Sequence, residues 1–277
     1  GPLSDNYQVK DVPHGNVSMV WYDSPTLKLT RRMYVYTPPG YETSRERYPV
    51  LYLLHGAGGD EDAWFTLGRA SQIMDNLIAA KKAKPMLVVM TNGNATQKMA
   101  PGSGPVPGQA GGRGMGARGA APAAAPGAGR GAAPAAAPGA GRGPAGPSFP
   151  ESLVKDVVPY VEKNYRVVAK MEGRAIAGLS MGGGHTITAT NAHPGEFSYI
   201  GVFSMGTRND ITQELTAIKK AGAKLYYVGC GEEDKICVEG SRNLSGLLEK
   251  VGLKHIYNEN TGGHTWINWR IYLNQLA

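Results

Sequence analysis

A serine flanked by glycines is the feature of this sequence that most directly predicts chemistry. Residues 178–182 read Gly-Leu-Ser-Met-Gly, which matches the Gly-x-Ser-x-Gly pattern of a nucleophile elbow. The apolar segment 174–179 is a predicted strand that leads directly into the serine, and a segment with helical potential follows it. Such a tight turn strains the backbone and requires small residues two positions before and after the serine. This context predicts Ser180 as a nucleophile, with Gly178 and Gly182 providing the space.

A serine hydroxyl is a weak nucleophile and needs a base within hydrogen-bonding reach. The chain has six histidines. Five of them are more simply explained as surface or packing residues, as the anchor of a glycine loop, or as a helical residue pointing away from the elbow: His14, His193, His255, His55 and His185. His264 remains, in the glycine-containing turn 261–266 after the last predicted strand. The order serine, acid, histidine of an α/β-hydrolase places the base there.

The acid that orients this base should lie between residues 180 and 264, on a loop that follows a strand. The predicted strand 224–228 leads into such a loop, Gly-Cys-Gly-Glu-Glu-Asp at residues 229–234. Asp234 is the first choice and Glu233 the second. Asp210 comes third, because the Arg-Asn-Asp sequence that it ends is typical of a helix cap.

Attack on a carbonyl creates an oxyanion, which requires backbone N–H donors that are fixed in advance. One predicted donor is the amide of Met181, at the start of the helix that follows the elbow. The second should come from the glycine loop after strand 50–54, where we favour the amide of Ala57 and keep Gly58 as an alternative. No Lys-Ser/Thr sequence follows this loop, so a phosphate-binding loop is not expected.

Around these motifs, β-branched and aromatic runs alternate with helical patterns, which is typical of a mostly parallel sheet covered on both faces. The sequence predicts an α/β-hydrolase fold with about eight strands, at residues 17–22, 29–36, 50–54, 86–91, 174–179, 199–203, 224–228 and 254–257. Helices are predicted at residues 61–82 (one helix or two), 148–164, 181–192, 212–221, 239–251 and 265–276. The second of these should open with a Ser148–Glu151 capping box and kink or restart at Pro159.

One segment does not fit a packed domain. Residues 101–147 consist mostly of Gly, Ala and Pro, and residues 119–130 are repeated without change at 131–142. Such a composition cannot bury enough apolar surface to offset its ordering entropy. The sequence therefore predicts a single domain, residues 5–277, interrupted by a low-complexity insert, while residues 1–4 are typical of a protease-cleavage remnant. A specific binding role for the arginines of the insert is the alternative.

Charge, hydropathy and cysteine content exclude several other classes of protein. The formal net charge is +7, but five of these positive charges lie between residues 91 and 150, without the clustering or aromatic pattern of a nucleic-acid-binding surface. No apolar run approaches the roughly 20 residues of a membrane span. Cys230 and Cys237 are too few for a disulfide scaffold, and we expect two free thiols rather than a local bridge.

Four sequence blocks together resemble a known family: residues 48–56, 158–166, 178–183 and 262–266. They are similar to the esterase D-like α/β-hydrolases, and within these to carbohydrate esterase family one, the feruloyl and acetylxylan esterases. The resemblance implies a secreted or periplasmic serine carboxylesterase that removes ferulate or acetate from plant xylan without a metal or cofactor. By position it implies Ser180 as nucleophile, His264 as base and Asp234 as acid. The 101–147 insert is not part of the family pattern.

Aromatic residues flank the motifs and suggest a binding site for a phenolic acyl group or a sugar ring. Trp64 follows the glycine loop and Trp266 follows His264, so with Gly58 they are the predicted substrate-binding residues. For Trp269, packing in the core is the better explanation. The acidic residues 60–62 lack the spacing of a calcium loop, and no cation site is predicted there.

Two other functions fit the same motifs. An acyltransferase of this fold, resembling the mycolyltransferases, would pass the acyl group to an alcohol instead of water. An inactive esterase-like module would bind polysaccharide without cleaving it. The sequence does not separate the esterase from the transferase, because they differ only in which acceptor reaches the acyl-enzyme.

Overall fold

The computed structural model describes residues 4–101 and 148–277, so nearly all of the predicted insert and most of the predicted cleavage remnant lie outside the described residues. Its strands are β1 (Asn16–Ser24), β2 (Leu29–Thr37), β3 (Val50–Leu54), β4 (Leu87–Thr91), β5 (Arg174–Leu179), β6 (Tyr199–Phe203), β7 (Leu225–Gly231) and β8 (His255–Asn260). They form a sheet in the order β1-β2-β4-β3-β5-β6-β7-β8. β1 and β2, and β2 and β4, pair antiparallel, whereas all other neighbours pair parallel. The predicted α/β-hydrolase fold is confirmed.

The central strands are buried on both faces, which explains why they read as continuous apolar runs. All five residues of β3 are buried. Val50, Tyr52 and Leu54 belong to the hydrophobic cluster on one face of the sheet. Leu51 and Leu53 belong to the cluster on the other face. This alternation is the two-residue period of a strand, and it lets a short segment contribute to two cores at once.

Helices cover both faces of the sheet. They are α1 (Ala63–Thr66), α2 (Ala70–Ala79), α3 (Phe149–Ser152), α4 (Val158–Asn164), α5 (Met181–Ala192), α6 (Thr212–Ala221), α7 (Val238–Val251) and α8 (Trp266–Leu276). Trp64 of α1 and the buried apolar residues of α2 and α8 belong to one cluster, and most buried apolar residues of α3 to α7 belong to the other. Among the described helices, none combines the length and the apolar character that crossing a bilayer requires.

The predicted capping box at the start of α3 does not form. Ser148 makes no side-chain capping hydrogen bond. The Glu151 carboxylate instead forms ion pairs with Lys155 and His193, so it is not available to the Ser148 amide. The expected irregularity at Pro159 is present, because a π-helical turn over Leu153–Val157 separates α3 from α4, and the proline lies in the first turn of α4.

Two strands near the predicted acid extend further than the sequence indicates. β7 continues through Gly231 and β8 through Asn260, because the two strands pair in register up to the Gly231–Asn260 pair. Glycine and asparagine are poor strand formers, so local propensity does not predict this extension. As a result the acid-bearing loop begins at Glu232 rather than at Gly229.

The sheet topology determines where the functional loops meet. β3, β5, β7 and β8 run parallel within one sheet, so their carboxyl ends lie at the same edge. The glycine loop, the elbow, the acid loop and the base loop each follow one of these strands. Ligands of open α/β sheets bind outside this edge.

Candidate active site

Ser180 lies on a strained turn between β5 and α5. Its backbone has φ +50° and ψ −116°, a conformation that non-glycine residues rarely adopt. The turn is held on both sides: the Ser180 amide donates to the Phe203 carbonyl at 2.8 Å, and the Ser180 carbonyl accepts from the Gly184 amide at 3.0 Å. Strain of this kind persists only where the surrounding structure enforces it.

The elbow requires glycine on both sides for steric reasons. A Cβ atom on Gly178 would lie 2.3 Å from the backbone of Gly182. A Cβ atom on Gly182 would lie 2.6 Å from the carbonyl oxygen of His55 and 2.7 Å from that of Leu54. Backbone atoms of strands cannot move away cheaply. These distances confirm the predicted need for small residues at positions 178 and 182.

This crowding yields a stability prediction with a control in the same helix. Gly182→Ala should lower the free energy of unfolding by about 3 kcal/mol or more, because the new methyl group overpacks against backbone. Gly184→Ala places its methyl group 3.7 Å from the Met205 side chain, an ordinary contact. It should be neutral or stabilising by up to about 1 kcal/mol, since alanine is the better helix former. Urea unfolding followed by circular dichroism measures both, and equal stabilities would contradict the steric argument.

His264 and Asp234 are brought together across the loops after β8 and β7. His264 Nδ1 lies 2.7 Å from Asp234 Oδ2. The Asp234 side chain is fully buried, whereas that of His264 is 26% exposed. Burial raises the pKa of Asp234, but the hydrogen bond and positive charge of His264 outweigh it, so the net pKa is lowered. An ionised Asp234 accepts the Nδ1 proton of His264, which leaves Nε2 free to accept a proton from another group.

Backbone contacts tie the acid loop to the base loop. The Glu233 amide donates to the Gly262 carbonyl at 3.0 Å, and a Cβ atom on Gly231 would lie 2.1 Å from that same oxygen. Gly262 has φ +92°, a conformation that glycine adopts without strain. The two loops therefore hold their side chains as one unit.

The two other candidate acids, Glu233 and Asp210, form no hydrogen bond with His264 in the described structure. Glu233 is exposed to solvent beside the buried Asp234. Asp210 accepts a hydrogen bond from the Thr212 amide at 2.9 Å, but it lies one residue before Ile211, the N-cap of α6, so it is not itself the helix cap. Of the three carboxylates, only Asp234 forms a hydrogen bond with His264.

Ser180 and His264 line the same cleft, which has a volume of about 210 Å³. The glycine loop at residues 56–59 lines this cleft as well, so Ala57 and Gly58 share it with Ser180. Met181 is the first residue of α5, and the amides of a helix N-terminus have no partner within the helix. Trp266 and Trp269 also line this cleft.

His55 anchors the glycine loop, as predicted. Its Nδ1–H donates to the Gly56 carbonyl at 2.7 Å, and its Nε2 accepts from the Gly93 amide at 2.7 Å. These contacts require the neutral imidazole, and burial lowers the pKa of His55 accordingly. The contribution of Gly93 is missed by the sequence analysis. Its only signal is the Asn-Gly-Asn turn sequence after β4, next to β3 in the sheet.

Of the predicted aromatic contacts, Trp64 is not part of the cleft. Its side chain is 1% exposed, its indole N–H donates to the Leu54 carbonyl, and its ring packs against Phe203. Trp64 lies on the buried face of α1, so its side chain packs in the core. Trp266 lines the cleft as expected, while Trp269 is mostly buried and also lines it.

Two buried cysteines and one buried ion pair are further titratable groups of this region. Cys230 and Cys237 are free and buried, in agreement with the expected pair of thiols. Atoms of Cys237, Asp234 and His264 lie within 4.8 Å of one another, and burial raises the pKa of Cys237 to about 12. Glu61 forms a buried ion pair with Arg32 at 2.7 Å.

The sheet order, the strained serine and the acid–base pair define this protein as an α/β-hydrolase. A family model named Esterase matches residues 24–112 and 130–276. The chain belongs to this esterase family.

Individual relatives agree with this assignment. The chain is 32% identical over 274 residues to the endo-1,4-beta-xylanase/feruloyl esterase of Xylanibacter ruminicola. This match covers 97% of this chain and 32% of that protein. It therefore spans about a third of that relative. It is also 25% identical over 162 residues to an acetyl esterase of Caldicellulosiruptor saccharolyticus, covering 45% of this chain and 60% of that protein.

Solved structures share the fold. A ferulic acid esterase from Anaeromyces mucronatus matches with a TM-score of 0.69 and 21% identity, covering 98% of this chain and 93% of that one. The feruloyl esterase module from Clostridium thermocellum, in complex with sinapinate, matches with a TM-score of 0.67 and 17% identity, covering 97% and 88%.

Proposed function

We propose that this chain removes feruloyl or acetyl groups from xylan, with Ser180 as nucleophile, His264 as base and Asp234 as acid. The observation that carries the proposal is the 2.7 Å contact between His264 and the buried Asp234, in a cleft that also contains Ser180. The names of the Xylanibacter ruminicola and Caldicellulosiruptor saccharolyticus relatives support the substrate class. An enzyme acting on xylan would work outside the cell, so an extracellular or periplasmic location is part of the proposal.

The reaction proceeds through an acyl-enzyme. His264 Nε2 takes the hydroxyl proton of Ser180 as its oxygen attacks the ester carbonyl, and Asp234 stabilises the imidazolium that forms. Amides of Ala57 and Met181 stabilise the oxyanion. His264 then gives its proton to the leaving sugar alcohol, and a water deprotonated by His264 releases the acid and frees Ser180.

The shape of the cleft favours an aromatic acyl group over a small one. Trp266 and Trp269 supply flat aromatic surface to the cleft, and Leu67 and Leu179 add apolar lining. An acetyl group would leave most of the roughly 210 Å³ to water. Comparison of methyl ferulate with acetylated xylan at matched enzyme concentration tests the acyl preference.

Trp266→Ala should reveal which substrates bind against the Trp266 side chain. We expect about a 10-fold lower kcat/KM for methyl ferulate, which corresponds to about 1.4 kcal/mol of lost stacking, and little change for a chromogenic acetyl ester. Trp21→Ala is the matched control, because Trp21 is 48% exposed on β1 and does not line the cleft. Equal losses on both substrates, or an equal effect of the control, would contradict an aromatic acyl site.

Membership of the esterase family favours hydrolysis over the two alternative functions. Acyl transfer predicts that an added alcohol becomes the main acceptor, so chromatography of the products separates it from hydrolysis. A polysaccharide-binding module without activity predicts equal rates for the wild type and Ser180→Ala.

A further inference from the structure

Ser204 is a serine at a backbone position that favours glycine. It directly follows β6, at the sheet edge that carries the elbow, and its φ is +46°. Its amide donates to the Gly229 carbonyl at 2.7 Å, which holds the turn in place. Glycine adopts a positive φ without strain, whereas serine does so at a cost. A residue that fits the backbone less well than glycine suggests a role for the hydroxyl group.

The Ser204 hydroxyl is buried, and its hydrogen bond with Trp269 determines whether the hydroxyl proton is still available. Ser204 is 0% exposed, and its Oγ accepts a hydrogen bond from the Trp269 indole N–H at 3.0 Å. An indole N–H only donates, so the hydroxyl proton is not used in this contact. A buried hydroxyl proton needs an acceptor, because leaving it unpaired is costly.

Asp234 provides a carboxylate oxygen that needs a donor. Its Oδ2 atom binds His264, while its buried Oδ1 atom lacks a hydrogen bond of standard geometry within the described residues. Ser204 lies close enough to influence this carboxyl: burial raises the pKa of Asp234, the hydrogen bond and charge of His264 outweigh burial, and Ser204 lowers the pKa further. Hydrogen bonds of an active site are often long in the free enzyme and tighten with substrate bound.

We propose that Ser204 is a positioning residue, which donates its hydroxyl proton to Asp234 Oδ1 and thereby holds the acid in the orientation that His264 requires. Trp269 completes the unit. Its indole N–H orients the Ser204 hydroxyl, and its ring packs at right angles to the His264 ring, with centroids 5.0 Å apart. In this arrangement Ser204 contacts the acid, and Trp269 contacts the base.

This role rests on the proposed function of Asp234 and His264 and predicts a change in pH dependence. Without the hydroxyl, the Asp234 carboxylate keeps more unneutralised charge and favours protonated His264 more strongly. The reaction requires neutral His264, so the acid limb of kcat/KM should move to higher pH. A residue that only supports the fold would lower activity without moving this limb.

Three other titratable groups that act on Asp234 do not change their charge during this measurement. Cys230, Cys237 and Tyr272 interact electrostatically with Asp234. Burial raises the pKa of Cys230 to about 11 and that of Cys237 to about 12, and it also raises that of Tyr272. All three therefore stay neutral between pH 4 and 9.

The test compares Ser204→Gly and Ser204→Ala with the wild type on a chromogenic acetyl ester across this pH range. Glycine tolerates the positive φ, so it removes the hydroxyl without adding strain. We expect kcat to fall about 10-fold with little change in KM, as for the loss of a hydrogen bond to a charged group. The midpoint of the acid limb should rise by about 0.5 pH unit.

Ser198→Ala is the matched control, because Ser198 is equally buried at the other end of β6 and its hydroxyl has no partner in the described structure. It should behave as the wild type. Wild-type kcat in Ser204→Gly, or a lower kcat with an unmoved acid limb, would overturn the positioning role. Ser180→Ala is assayed in parallel: if it stays active, the proposed catalytic site itself is wrong, and if it is inactive, the result for Ser204 stands by itself.

Discussion

Ser180→Ala is expected to lower kcat on a chromogenic acetyl ester by about 10³-fold or more, with little change in KM. Alanine has the same backbone preferences as serine at φ +50°, and residue 180 lies in an open cleft. The fold and the oxyanion donors should therefore survive, and the loss should be confined to the chemical step. Steady-state kinetics measure the effect, and thermal unfolding checks that stability is retained.

The covalent intermediate gives a second readout for the same variant. If Ser180 is acylated, rapid quenching of the wild type with methyl ferulate should trap a protein heavier by one feruloyl group, which mass spectrometry locates on the peptide containing residue 180. Ser180→Ala should show no such adduct. Equal rates in the two proteins, or an adduct that persists in the variant, would remove catalysis from this site.

The elbow could be predicted from the sequence because its requirements are local. A strand, a serine and a helix in direct succession create crowding that only glycine at residues 178 and 182 relieves, and each of these features is visible within 20 residues. The same reasoning applies to β3, in which apolar side chains on both faces indicate a fully buried strand. Patterns of this kind depend on neighbouring residues, so they transfer directly from sequence to structure.

Contacts between distant segments could not be predicted in this way. Trp64 and Trp266 both follow a catalytic motif, but only Trp266 lines the cleft, because Trp64 packs at right angles against it from within the core. Ser204 has no motif, and it meets Trp269 across 65 positions of the chain. Residue type and spacing do not indicate which side of a helix faces the core when both sides are aromatic.

Local sequence also cannot decide which of two adjacent carboxylates is the acid. Glu233 and Asp234 have similar chemistry, and both follow a predicted strand. β7 continues to Gly231, and the tight turn after it leaves residue 233 in solvent and buries residue 234. The register of β7 with β8 makes this distinction, and local sequence does not determine that register.

Asp234→Asn should lower kcat by about 10³- to 10⁴-fold while the fold is kept, since the two side chains have nearly the same shape. The carboxylate accepts the Nδ1 proton of His264 at 2.7 Å, which leaves Nε2 as the base. An amide can present its NH₂ group to Nδ1 instead, and the imidazole then carries its proton on Nε2, where it cannot accept one from Ser180. Glu233→Gln is the matched control: it removes the neighbouring charge from an exposed position and should leave kcat within about 2-fold, as for a surface substitution. Kinetics of both variants on the chromogenic ester decide between the carboxylates, and a large loss in Glu233→Gln with an active Asp234→Asn would transfer the role of acid to Glu233.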